Sequence, residues 1–209
     1  MVSSFEYPAN DHRICFIGDS MTQGTSDPTC LGWPGRVSAA AWAKGYALTA
    51  HNLGIRGDTS QGVAARWQAE SAVRLQAECH KYLVFSFGAN DMTPQGDGLR
   101  VAVVQSVALF TRIVSEAQAL YPTVVLGPFP VGEAAQDARI LDLCPLYAEH
   151  AQALGVPYLP VARLLLDSAL WRADVAASDG CHPGAAGYQR VADQVLAWPA
   201  WWFNTSTTS

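Results

Sequence analysis

Residues that could form a nucleophilic serine and its base lie at opposite ends of this chain. Gly18-Asp19-Ser20 follows the apolar run Ile14-Cys15-Phe16-Ile17, a pattern typical of a buried strand that delivers a serine to its carboxyl end. Asp179-Gly180-Cys181-His182-Pro183 lies close to the other end of the chain. A serine hydroxyl becomes a nucleophile when a histidine accepts its proton and a carboxylate orients that histidine. The three-residue offset lets the Asp179 carboxylate reach one imidazole nitrogen and leaves the other for Ser20.

Two further segments could supply hydrogen-bond donors to an oxyanion. Gly54 and Gly57 follow the second predicted strand, and closely spaced glycines let backbone N–H groups face a ligand. Asn90 follows the third predicted strand, where its side-chain amide could donate. Each segment alone is equally typical of a turn or a helix cap. Together, in order and at the carboxyl ends of strands, they indicate one site, because ligands bind at that edge of an open α/β sheet.

Positioning these residues requires strands that alternate with helices. The predicted strands are Arg13–Ile17, Tyr46–Asn52, Tyr82–Phe87, Val124–Leu126 and Val156–Leu159. The predicted helices are Gly35–Lys44, Ser60–Gln76, Leu99–Leu120, Asp137–Leu154 and Gly184–Trp198, with a shorter one over Val161–Trp171. This alternation predicts an α/β fold, a three-layer αβα sandwich with a five-stranded parallel sheet. A length of 209 residues predicts a single domain over 1–209, with residues 204–209 as a frayed tail.

Composition narrows the possible partners and cofactors. The chain is 50% hydrophobic with a formal net charge of −5, and it has no Lys/Arg cluster, so we expect no nucleic-acid partner. No apolar window approaches the roughly 18 residues of a membrane span, and the first residues do not resemble a signal peptide, so we expect no membrane insertion and a cytoplasmic location. The five cysteines show no metal-ligand spacing, which predicts free, mostly buried thiols and no metal.

The motifs resemble those of the SGNH hydrolases, also called GDSL-type lipases and esterases. The resemblance rests on Gly18-Asp19-Ser20, Gly54, Gly88-Ala89-Asn90-Asp91 and Asp179-Gly180-Cys181-His182-Pro183, which span nearly the whole chain. It implies a flavodoxin-like fold, Ser20 as nucleophile, His182 as general base and Asp179 as its orienting carboxylate. It also implies an oxyanion hole made by the backbone N–H groups of Ser20 and Gly54 and the Asn90 amide. Met21 stands where the family usually has Leu, and Cys181 where it commonly has an aliphatic residue.

The expected function is a serine esterase that cleaves a small-molecule carboxylic ester without a cofactor. Short acyl chains are expected because the segments predicted to rim the site, residues 22–33, 92–98 and 128–135, are short. A carbohydrate O-deacetylase, a thioesterase and a lysophospholipase are alternatives with the same triad, and a non-catalytic binding module is an alternative of a different class. The oligomeric state is expected to be monomer or homodimer.

Three secondary features have structural interpretations. The aromatic cluster Trp198, Trp201, Trp202 and Phe203 is expected to pack against the fold rather than bind a partner or substrate. Arg56 and Asp58 could pair to shape the glycine loop. Cys181 is expected to be a small buried residue rather than a second nucleophile.

Overall fold

A five-stranded parallel sheet forms the centre of the fold. The computed structural model describes residues 10–76 and 78–205; of the predicted tail, residues 206–209 lie outside this part. The strands are β1 (Asp11–Gly18), β2 (Ala47–Gly54), β3 (His80–Ser86), β4 (Pro94–Gln95), β5 (Gly98–Leu99), β6 (Thr123–Leu126) and β7 (Tyr158–Leu159). The sheet order is β2-β1-β3-β6-β7, with every pairing parallel, and β4 and β5 form a separate antiparallel hairpin. The predicted α/β fold with a five-stranded parallel sheet is confirmed.

Helices cover both faces of the sheet. They are α1 (Ser20–Gln23), α2 (Gly32–Ala43), α3 (Ser60–Ala72), α4 (Val103–Leu120), α5 (Ala134–Ala153), α6 (Val161–Leu166), α7 (Ala169–Ala177) and α8 (Ala185–Ala197), with a single 3₁₀ turn at Asn90–Met92. One hydrophobic core joins the sheet to α3, α4 and α5, and the other joins it to α2, α7 and α8. None of the helices in the described part of the chain has the length and apolarity needed to cross a bilayer.

Strand β1 lies between β2 and β3 and is buried on both faces. Its side chains alternate, so that Cys15 and Ile17 enter one core while Ile14 and Phe16 enter the other. A strand covered on both sides is apolar at consecutive positions, which explains the uninterrupted apolar run in the sequence. Gly18, at the end of β1, is in register with the last residues of both neighbouring strands. The loops that follow these strands therefore begin at the same edge of the sheet.

The C-terminal aromatic cluster packs into the core next to α2 and α8, as expected. Trp201 and Phe203 are 2% and 1% exposed, and Phe203 lies edge-on to Tyr46 and Tyr82. Trp198 and Trp202 pack at the margin of the same core. The cluster stabilises the amino-terminal side of the sheet.

Several predicted helices have ends displaced by a few residues in the structure, and two of these differences have a clear physical cause. The helix predicted to start at Leu99 begins at Val103, because Leu99 pairs with Pro94 in the small hairpin. The short helix predicted over residues 161–171 is two helices, α6 and α7. Ser168 separates them, because its side chain caps α7 by accepting from the Trp171 N–H.

Candidate active site

Ser20 is the first residue of the short helix α1, directly after the end of β1. Asp19 caps this helix, its carboxylate accepting a hydrogen bond of 2.9 Å from the Met21 N–H. Gly18 lets the end of β1 pack closely against β3, because a Cβ at this position would lie 2.0 Å from the carbonyl oxygen of Ser86. Strand end, glycine and cap together hold the Ser20 side chain at the carboxyl edge of the sheet.

The side chains of Ser20, His182 and Asp179 form a hydrogen-bonded series. His182 Nε2 lies 2.8 Å from Ser20 Oγ, and His182 Nδ1 lies 2.7 Å from Asp179 Oδ2. Ser20 and His182 are 8% and 7% exposed. Ser20 and His182, which are 162 positions apart in the sequence, are thus in direct contact, as expected. The arrangement can move a proton from the hydroxyl to the imidazole while the carboxylate holds the ring.

The loop before α8 holds Asp179 as a carboxylate. Although partial burial acts to raise the pKa of Asp179, hydrogen bonds from the backbone N–H and ring of His182 and from the Cys181 N–H lower it well below its ordinary value. Ser26 also donates to Oδ2 at 3.1 Å. An ionised carboxylate fixes the imidazole in the tautomer that leaves Nε2 free to accept a proton.

Asn90 places its side-chain amide beside the same pocket. Its Nδ2 donates to the carbonyl oxygen of Asp58 at 2.9 Å and lies 3.5 Å from Asp19 Oδ2. The adjacent Asp91 is fully buried and accepts from the Ser60 N–H at 2.8 Å and the Ser106 hydroxyl at 2.6 Å. Asp91 therefore anchors the turn that carries Asn90 to the beginnings of α3 and α4.

Gly54 does not join these residues. It is the last residue of β2, and its N–H donates to Asn52 Oδ1 at 3.0 Å. A Cβ at Gly54 would lie 2.2 Å from Gln23 N, so this glycine is needed for close packing against α1. The expectation that Gly54 supplies an oxyanion donor is therefore corrected: its N–H is already used, and it does not line the pocket that contains Ser20.

Gly57, rather than Gly54, lies where an oxyanion donor is expected. It lines the pocket with Ser20 and Asn90, and no other described residue accepts its N–H. Its φ of 73° favours glycine, and its carbonyl oxygen accepts from Arg100 Nη2 at 2.9 Å. Both glycines were visible in the sequence; only hydrogen-bond partners distinguish the spare N–H from the engaged one.

Arg66 ties together the strand ends beneath this loop. It donates to the carbonyl oxygens of Gly18 at 2.9 Å and Leu53 at 2.8 Å, and to Asp58 Oδ2 at 2.8 Å. The expected pairing of Asp58 with Arg56 is therefore wrong, because Arg66 reaches from α3 and takes the carboxylate. Sequence patterns gave no sign of this role, since Arg66 is one of several charged residues on a helix.

The pocket that contains Ser20 and His182 has a volume of about 340 Å³, and both polar and apolar side chains line it. Arg56 lines it, and no hydrogen bond or ion pair joins this guanidinium to another residue of the described chain. Cys181 also lines it; burial, with the nearby charges of Asp179 and Asp19, raises the pKa of this thiol to about 11. A protonated thiol is a poor nucleophile, which agrees with the expected structural role of Cys181.

The buried carboxyl group of Asp19 lies next to Ser20 in the chain and is 2% exposed. Burial raises its pKa to about 7, helped by the charges of Asp58 and Asp91 and opposed by the hydrogen bond from the Met21 N–H. Ionising Asp19 therefore costs free energy in the folded protein. The segment Gly18-Asp19-Ser20 therefore contains a carboxyl group whose ionisation destabilises the fold, and this group lies 3.5 Å from Asn90 Nδ2.

The cysteines and other potential metal ligands are dispersed. All five cysteines are free; Cys15 and Cys144 are buried, Cys79 and Cys181 half-buried, and Cys30 exposed. Among residues 10–76 and 78–205, no group of three or more His, Cys, Asp or Glu side chains could hold a metal ion.

The sequence matches the GDSL-like Lipase/Acylhydrolase family over residues 16–190. The chain belongs to this family, and its class of enzyme is carboxylic ester hydrolase. A search of curated protein sequences finds no match.

Solved structures of other hydrolases share the fold. Axe2, an acetylxylan esterase from Geobacillus stearothermophilus, is 20% identical over 90% of this chain and 95% of its own, with a TM-score of 0.73. A lipase/acylhydrolase from Enterococcus faecalis is 20% identical over 88% and 93%, with a TM-score of 0.73. LAE5, an α/β hydrolase from the metagenome of Lake Arreo, Spain, is 23% identical over 88% and 93%, with a TM-score of 0.71.

Proposed function

We propose that this protein is a serine esterase that hydrolyses esters of short carboxylic acids through an acyl-enzyme on Ser20. The observation that carries the proposal is the hydrogen-bonded series Ser20–His182–Asp179, with distances of 2.8 and 2.7 Å. The fold relative Axe2 has catalytic mutants in which a serine, a histidine and an aspartate are each replaced by alanine, which adds support for the same three residue types here.

In the first half-reaction His182 Nε2 accepts the Ser20 proton while Oγ attacks the ester carbonyl carbon. The carbonyl oxygen becomes an oxyanion that accepts hydrogen bonds from the backbone N–H groups of Ser20 and Gly57 and from the Asn90 amide. The Asp179 carboxylate stabilises the imidazolium. His182 then donates its proton to the leaving alcohol oxygen, the carbon–oxygen bond breaks, and the acyl group remains on Ser20.

In the second half-reaction water replaces the alcohol. His182 accepts a proton from this water, the resulting hydroxide attacks the acyl carbon, and the same donors hold the second oxyanion. His182 returns the proton to Ser20 Oγ as the carboxylic acid leaves. The residues of the site supply every proton transfer in this sequence.

A short acyl group is supported by the size of the pocket and by Arg56 at its edge. A volume of about 340 Å³ is near the lower end of the range for small-molecule sites. It must hold the carbonyl group, part of the alcohol and the acyl chain. The Arg56 guanidinium has no partner among the described residues, and it disfavours a long apolar chain because burying the charge without a partner is costly.

Labelling by a fluorophosphonate tests the nucleophile directly. The wild-type protein should gain one adduct by intact mass, mapped to Ser20 by peptide sequencing, and Ser20→Ala should gain none. Ser20→Ala should also lose p-nitrophenyl acetate hydrolysis while keeping the wild-type melting temperature within a few degrees. Wild-type activity in Ser20→Ala, or an adduct mapped to another residue, would contradict the proposal.

A substrate panel separates the alternatives with the same triad. p-Nitrophenyl esters of increasing acyl length, acetylated xylo-oligosaccharides, acyl-CoA and lysophospholipid should be compared by kcat/KM. We expect acetyl and propionyl esters to have the highest kcat/KM.

The cytoplasmic location, the single domain and the monomeric or dimeric state stay predictions. Light scattering after size-exclusion chromatography tests the oligomeric state.

A further inference from the structure

A second, larger cavity lies beside the proposed catalytic pocket. It is a groove of about 600 Å³ between the first turns of α5 and the helix α7. Its lining is mainly apolar and includes Leu141, Leu166, Trp171 and Val175. Asp137 and Arg172 also line it, but the Asp137 carboxylate accepts from the Val131 N–H and the Arg172 guanidinium donates to the Leu166 carbonyl oxygen, so both charged groups have partners. The proposed mechanism does not use this groove, although its volume falls in the range of small-molecule sites.

The groove and the pocket are separated by a wall one residue thick. Val131 and Cys181 line the pocket, whereas their chain neighbours Gly132 and Gly180 line the groove. The two glycines touch, since a Cβ at Gly132 would lie 2.5 Å from the Gly180 carbonyl oxygen. Asp137 fixes the wall by accepting the Val131 N–H at 2.7 Å. The two cavities are therefore adjacent parts of one surface.

The position of the wall indicates which half of an ester would reach the groove. Gly180 belongs to the loop that carries both Asp179 and His182. In the proposed reaction His182 must protonate the leaving oxygen, so the alcohol portion lies on the imidazole side of the scissile bond. The acyl portion stays with Ser20.

We propose that the groove between α5 and α7 binds an apolar alcohol portion of the substrate, which rests on the proposed esterase function. The substrate class is then an ester of a short acid with a larger apolar alcohol. Each methylene buried in the groove can improve kcat/KM by about fourfold. Four additional methylenes on the alcohol should therefore raise kcat/KM at least tenfold.

Two isomeric esters test this assignment. Hexyl acetate and ethyl hexanoate have the same composition and carry the long chain on opposite sides of the carbonyl group. With the wild-type enzyme, kcat/KM for hexyl acetate should exceed that for ethyl hexanoate at least tenfold, and should exceed that for ethyl acetate by a similar factor. A preference for ethyl hexanoate would overturn the assignment, since the long chain would then bind on the acyl side.

Bulky substitutions on the groove lining test whether the preference for hexyl acetate arises in the groove. Ala138 and Ala176 are exposed on the lining, so Ala138→Trp and Ala176→Trp can block the groove without disturbing the core. Each should lower the ratio of kcat/KM for hexyl acetate to that for ethyl acetate at least tenfold, mainly through KM. Ala153→Trp, an exposed control at the far end of α5, should keep the wild-type ratio. An unchanged ratio in both groove variants would refute the proposal.

A binding measurement separates failure of the groove from failure of the esterase assignment. Saturation-transfer NMR should detect 1-hexanol on the wild-type protein and a weaker signal on Ala176→Trp. Absence of Ser20-dependent hydrolysis for every ester would overturn the proposed function. Absence of 1-hexanol binding, or equal binding by Ala176→Trp, would overturn the groove assignment alone.

Discussion

The buried carboxyl group of Asp19 allows a quantitative test of the electrostatics beside Ser20. Its pKa is raised from an ordinary value of 3.8 to about 7, chiefly by burial. At low pH, Asp19 is protonated in both the folded and the unfolded chain, so it does not change the free energy of unfolding. As pH rises above about 4 the unfolded chain loses its proton first, and the folded chain is increasingly disfavoured until Asp19 ionises in the fold as well, near pH 7.

The size of this effect follows from the two pKa values. A difference of about three pKa units between folded and unfolded chains is worth about 4 kcal/mol above pH 7, of which about 2 to 3 kcal/mol develops between about pH 5 and pH 8. Asp19→Asn removes the ionisation. Asparagine is as good an N-cap as aspartate, so the hydrogen bond from the Met21 N–H can be kept. The variant should therefore become more stable relative to wild type as pH rises.

Urea unfolding followed by tryptophan fluorescence measures this difference, because the chain contains seven tryptophans. Other titrating groups are common to both proteins and cancel when the variant is compared with wild type at each pH. The stability difference should grow by about 2 to 3 kcal/mol between about pH 5 and pH 8. Gln152→Asn, a change between uncharged residues at an exposed position of α5, should show a difference that does not change with pH. A constant difference for Asp19→Asn would refute the reasoning.

Three further predictions concern donors and charges around the site and the sheet. Asn90→Ala should lower kcat by about 10² to 10³ with little change in KM, as loss of one oxyanion donor does; an unchanged kcat would exclude this role. Arg66→Met should destabilise the fold by about 2 to 4 kcal/mol and lower kcat, because the Asp58 carboxylate loses its partner. Arg66→Lys should not restore both the stability and the kcat of the wild type. Urea unfolding and steady-state kinetics check this. Burial and the neighbouring His80 lower the pKa of His12, so the folded chain disfavours its protonation and stability should fall as pH drops below about 6.5. His12→Phe should reduce that fall in acid unfolding curves, and an unaltered acid limb would contradict it.

Much of the site could be predicted because its signals are local in sequence. The apolar run of β1 with Gly18-Asp19-Ser20 specifies a buried strand and a capped turn. The three-residue offset between Asp179 and His182 places a carboxylate within reach of an imidazole. These features depend on neighbours a few residues away, and the structure has the expected contact between Asp179 and His182 at 2.7 Å. The five strands were predictable for the same reason, with ends displaced by up to two residues.

The remaining features depend on which atoms meet across the fold. Gly54 and Gly57 have the same residue type and lie three positions apart, yet Asn52 accepts the Gly54 N–H, whereas no other described residue accepts the Gly57 N–H. Asp58 pairs with Arg66 rather than Arg56, because α3 returns across the strand ends. The sequence by itself determined the residue types of the proposed triad and the class of fold. Only the tertiary structure decided that the N–H of Gly57 and the guanidinium of Arg56 have no partner among the described residues, and that an apolar groove lies between α5 and α7. The reason is that hydrogen-bond partners and cavities arise where distant segments pack together.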